Sequence, residues 1–86
     1  MKWNGLRVAV IGLARSGVAA CLFLRRRGAR VVGVDQRPAH DLGNVPNELQ
    51  AAGIEMSLGA HPDLHAFDVI VLSPGVDPAQ EGIAQA

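Results

Sequence analysis

The segment Gly12-Leu13-Ala14-Arg15-Ser16-Gly17 constrains this chain more than any other feature. It follows directly on Leu6-Arg7-Val8-Ala9-Val10-Ile11, a short apolar run rich in β-branched residues that reads as a buried strand. From about Ser16 to Arg27 the apolar spacing becomes helical, with Val18, Cys21, Leu22 and Leu24 able to share an inward side. Ser16 is the expected helix cap. Arg25-Arg26-Arg27 falls in the last turn, where positive charge suits the carbonyl end of the helix dipole, and Gly28 supplies the stop. A strand that turns through glycine into a helix points to an α/β plan.

The rest of the chain keeps that alternation. Arg30-Val31-Val32-Gly33-Val34 reads as a second strand with Asp35 at its carboxyl end. Gln36 to Val45 contains Pro38, Gly43 and Asn44 and reads as a loop, followed by a short helix from Asn47 to Ala52. Ile54 to Leu58 alternates and suits a sheet edge, whereas Asp68-Val69-Ile70-Val71-Leu72 is apolar enough for a central strand. Pro78 to Ala86 reads as the start of a further helix.

Right-handed crossovers then give a parallel sheet covered on both faces, with strand order 3-2-1-4. An apolar fourth strand without an outer neighbour leads to two expectations. A fifth strand belongs beyond Ala86, and this sequence alone would self-associate through the open edge.

Composition narrows the function. Apolar residues make up 49% of the 86 and aromatics only 3%, so the core must be aliphatic, as between helices and a parallel sheet. Eight basic residues balance eight acidic ones, giving no overall field toward nucleic acid or membrane. The single cysteine, Cys21, sits in an apolar run and reads as a small buried hydrophobe. An unpaired cysteine and the lack of a secretory signal fit a cytoplasmic protein. His61, Asp63 and His65 lie in a loop without a fourth ligand, so no metal is expected.

Three groups of residues carry binding chemistry. In the first turn, Gly12 allows a tight bend, Gly17 allows close packing of helix on strand, and free amides at the helix start suit phosphate. Ala14 stands where a dinucleotide fingerprint has its middle glycine, and a methyl group there hinders approach of a pyrophosphate. A purely structural turn is the alternative. Asp35 suits ribose hydroxyls or a base N–H, or else simply begins the next loop outside the core; Arg37 suits a ring or phosphate, or plain solvation. Ser73-Pro74-Gly75 ends the fourth strand on the same carboxyl edge, facing the first turn across the point where strand order reverses. Its alternative role is that of a strand terminator, and no base accompanies Ser73 to make it a nucleophile.

Taken together, Val8 to Gly17, Asp35-Gln36-Arg37 and Val71-Leu72-Ser73-Pro74-Gly75-Val76 resemble the Mur ligases of peptidoglycan synthesis, most nearly the D-glutamate-adding branch. The resemblance covers nearly the whole chain. It implies a Rossmann-like three-layer sandwich over residues 1–86 that binds the UDP part of UDP-N-acetylmuramoyl-L-alanine as an amino-terminal domain. It further implies that Ala14, Arg15 and Ser16 lie against the diphosphate, that Asp35, Gln36 and Arg37 contact uracil, and that Ser73, Pro74 and Gly75 line the nucleotide crevice. Arg15 and Gln36 depart from the family's usual apolar residue and threonine.

The same resemblance assigns ATP and magnesium to a central domain with a Gly-Lys-Ser/Thr loop, which does not occur here, and D-glutamate to a carboxyl-terminal domain. The only lysine in this sequence is Lys2. These 86 residues are therefore expected to bind and not to catalyse. Two other readings use the same fold, the NAD-binding half of a dehydrogenase and a small-ligand sensor module.

Overall fold

The structure, a computed structural model, describes residues 2–60 and 62–73. Strand β1 (Arg7–Ile11) leads into helix α1 (Arg15–Arg26), followed by β2 (Arg30–Asp35), helix α2 (Val45–Ala51), β3 (Glu55–Leu58) and β4 (Val69–Leu72). Short 3-10 turns at Ala39–Asp41 and Leu64–Ala66 complete the order. All strand pairs are parallel and the order is β3-β2-β1-β4, as the alternation predicts.

Burial explains the order. Val8, Ala9 and Val10 are wholly buried, so β1 occupies the interior between β2 and β4. From α1 come Gly17, Val18, Cys21 and Leu24, spaced three and four residues apart so that one face meets the sheet. Leu13 and Leu49 are buried completely, each contributing roughly 1.5–3 kcal/mol by leaving water. Both pack over Gly33. A Cβ at Gly33 would approach Leu13 Cδ2 at 3.1 Å and Leu49 Cδ1 at 3.3 Å, so a bare backbone in β2 admits the leucine that anchors the first turn.

Three expectations need correction. Helix α1 starts one residue earlier than predicted, and Ala14, which has no capping side chain, occupies the cap position in place of Ser16. Helix α2 starts at Val45 and not Asn47, because Pro46 in its first turn supplies a favourable φ and no amide that needs a partner. The loop from Gln36 to Val45 includes a 3-10 turn. Strand β4 lies at the open edge that the order 3-2-1-4 predicts: among the described residues it pairs only with β1, and Ile70 and Leu72 are 41% and 70% exposed. Pro78 to Ala86 lies outside the described residues.

Candidate functional site

The carboxyl ends of β1, β2 and β4 converge on the first turn. Gly12 adopts φ +97°, a left-handed conformation that favours glycine, and donates its amide to the Val34 carbonyl at 2.7 Å. This bond ties the top of β1 to the top of β2. Gly17 then sits directly against the Gly12 carbonyl, leaving no room for a Cβ. Helix α1 can therefore begin almost in contact with the strand that precedes it.

That helix start carries no acidic residue in its first turn and no side-chain cap. The amides of Arg15, Ser16 and Gly17 have no carbonyl one turn behind them, which leaves a positive pole open toward the carboxyl edge. Ser16 is exposed, and its hydroxyl lies 3.4 Å from that of buried Ser73. Ser73 in turn donates its amide to the Ile11 carbonyl at 3.0 Å. The structure thus brings the first turn and the end of β4 together, as their places in the strand order predict. Pro74 and Gly75 lie outside the described residues.

Asp35 differs from the expectation of a loop-starting carboxylate outside the core. It is only 6% exposed, and its own chain engages both oxygens. Oδ1 accepts the Arg37 amide at 2.9 Å and Arg37 Nε at 3.0 Å. Oδ2 accepts the Leu13 amide at 2.8 Å and Arg37 Nη2 at 3.0 Å. A carboxylate offers about four lone-pair positions, so these contacts fill it. The Arg37 side-chain bonds, followed by the Leu13 and Arg37 amides, hold the carboxyl down at about 2 against the opposing effect of burial. The paired charge likewise raises the Arg37 pKa.

Arg37 is half exposed and commits one edge of its guanidinium to Asp35. Its remaining N–H groups and its flat face are open to a ligand. It borders an open hollow of about 550 Å³ with Ala14, Arg15, Asp41, Val45 and Glu48. Arg15 and Gln36 are exposed. The sequence reading misses Asp41, Val45 and Glu48 as lining residues. Asn44-Val45-Pro46 carries the signal for two of them, since a proline near a helix start would have placed α2 two residues earlier.

The predicted metal-poor loop is held by local bonds. Asp63 Oδ1 accepts the His65 amide at 3.0 Å and faces His65 Nδ1 at 3.2 Å, while His61 lies outside the described residues. Among the described residues no group of three or more His, Cys, Asp or Glu side chains is placed to hold a metal ion. Nor is any helix there long and apolar enough to cross a membrane.

Known proteins share both the fold and the sequence. The A chain of dipicolinate synthase from Bacillus subtilis superposes with a TM-score of 0.66 at 22% identity, over 84% of this chain and 23% of that one. The bacillithiol disulfide reductase Bdr from Bacillus cereus gives 0.54 at 29% identity, over 69% of this chain and 20% of that one. These likenesses concern the fold.

Sequence similarity is more specific. UDP-N-acetylmuramoylalanine--D-glutamate ligase from Desulfitobacterium hafniense is 45% identical over 91 residues, covering 99% of this chain and 20% of the relative. The ligase of that name from Acidobacterium capsulatum is 46% identical over 78 residues, covering 88% and 17%. The enzyme from Geobacter metallireducens is 41% identical over 88 residues, covering 100% and 19%. This chain thus spans about a fifth of the length of those relatives. The family described as Mur ligase MurD-like, N-terminal domain, matches residues 6–86, and the chain belongs to that family.

Proposed function

We infer that the carboxyl edge binds the UDP part of UDP-N-acetylmuramoyl-L-alanine, as the amino-terminal domain of an ATP-dependent ligase that adds D-glutamate in cytoplasmic peptidoglycan synthesis. One observation carries this reading: the uncapped start of α1 and the rigidly held Arg37 border one hollow. The amides around Arg15 and Ser16 suit a diphosphate, because a helix start offers donors and a positive pole together. Arg37 stands one strand away, where its flat guanidinium suits the carbonyl-rich uracil ring with Gln36 beside it. Asp35 serves that contact by fixing Arg37, and Ser73 closes the crevice opposite Ser16. Ala14 keeps a methyl group at the point where a dinucleotide pyrophosphate comes closest to the backbone.

ATP, magnesium and D-glutamate belong to other parts of the parent ligase. These 86 residues alone hold substrate and form no bond.

Titration by NMR tests the reading. UDP-N-acetylmuramoyl-L-alanine and UDP are expected to shift the amides of Ala14, Arg15 and Ser16 and the side-chain Nε of Arg37, with NAD shifting them less at equal concentration. Arg37→Ala should weaken UDP binding about tenfold, the cost of losing a charge-assisted contact. Stronger shifts with NAD, or UDP shifts that miss both Arg15 and Arg37, would overturn it.

A further inference from the structure

The register of β1 on β2 pairs Arg7 with Arg30 at the opposite, amino end of the sheet. Register partners share a face on strands about 4.8 Å apart. Two like charges therefore leave neighbouring strands on one face, a pairing that costs stability. Neither guanidinium is in a salt bridge among the described residues. Asp68 is close by, but its Oδ2 accepts the main-chain amide of Arg7 at 2.9 Å, while the Arg7 guanidinium lies 5.8 Å from the centre of the Phe67 ring.

A third arginine joins this pair. Arg25, from the last turn of α1, borders the same open hollow of about 580 Å³ as Arg7 and Arg30, with Asn4 and Phe67 also on its wall. Glu55 is the only carboxylate on that wall among the described residues. Charge attraction to the helix end accounts for Arg25, but it does not account for arginines placed at the starts of two neighbouring strands. At that helix end the carbonyls of Phe23, Leu24 and Arg25 accept the amides of Arg27, Ala29 and Gly28, which lessens their repulsion of an anion. Zero net charge conceals this arrangement, because Asp35, Asp41 and Glu48 gather at the far edge.

We propose that the amino-edge hollow is a binding site for a soluble oligophosphate anion, bridged by Arg7 and Arg30 and flanked by Arg25. Guanidinium groups offer planar pairs of donors that match phosphate oxygens, and an anion between Arg7 and Arg30 turns their repulsion into attraction to a shared charge. This site is separate from the UDP edge and does not depend on that reading.

Pyrophosphate is the probe, titrated into this chain at constant ionic strength while the arginine Nε–Hε signals are followed by NMR. Shifts at Arg7, Arg25 and Arg30 are expected, and Arg30→Gln or Arg7→Gln should weaken binding about tenfold. Without pyrophosphate, each variant should melt no lower than the parent, because each removes a like-charge contact. Three results would overturn the proposal: shifts confined to Arg15 and Arg37, equal shifts with sodium chloride, or variants that melt lower while binding pyrophosphate unchanged.

Discussion

Asp35 Oδ2 accepts the Leu13 amide at 2.8 Å across 22 residues of sequence, joining the end of β2 to the turn that opens α1. The same carboxylate holds Arg37 through Oδ1 and Oδ2, so one buried group positions both halves of the candidate site.

Removing that charge should therefore destabilise the fold. Asp35→Asn sets an amide donor among four N–H partners and is expected to cost about 2–3 kcal/mol in urea unfolding. The dependence on pH follows from the lowered pKa. A carboxyl at about 2 when folded and near 3.8 when unfolded binds fewer protons in the folded state. Its contribution, about 2 kcal/mol, is fully present above pH 4 and is lost as pH falls toward 2. The gap in stability between parent and Asp35→Asn should narrow through that window. A constant gap from pH 6 to 2.5 would show that the charge of Asp35 is not what stabilises the turn.

Cys21 should be inert until the fold opens. Its thiol is completely buried under α1, and burial pushes its pKa up to about 12. The thiolate is the reactive form, so almost none is present at pH 8 in the native state. Labelling with a disulfide reagent is expected to be slow in buffer and to rise with urea along the unfolding curve. Rapid labelling in buffer would mean that α1 leaves the sheet far more readily than its packing implies.

These expectations separate what periodicity reveals from what it conceals. The strand order follows from apolar runs and helical spacing, because backbone pairing and burial act on whole segments. The meeting of Ser16 with Ser73 also follows, since parallel topology places the ends of β1 and β4 at one edge. The depth of Asp35 does not. Its burial depends on the Leu13 amide, a partner fixed only after β1 and β2 pair, whereas its bond to Arg37 is local enough to suspect from an Asp-Gln-Arg sequence. Counting charges misses the amino-edge arginines for a related reason: a sum of zero carries no information about register.

The close approach of α1 to β1 provides the sharpest test of the turn. A Cβ on Gly17 would overlap the Gly12 carbonyl oxygen and come within 3.3 Å of Ser73 Cβ. The carbonyl cannot move away freely, because the Gly12 amide is fixed on Val34 at 2.7 Å and the Leu13 amide on Asp35 at 2.8 Å. Alanine favours a helix over glycine by about 1 kcal/mol, which is smaller than the cost of moving α1 off the sheet. Gly17→Ala is therefore expected to lose about 3 kcal/mol or more. Gly43→Ala serves as the control, since Gly43 has φ +59° and no heavy atom within 4 Å of a built Cβ. It should lose only about 1–2 kcal/mol, the cost of a left-handed alanine. Urea unfolding of both variants measures the difference. Equal losses would mean that Gly17 serves only as a flexible link, and that the first turn is not held by contact between helix and strand.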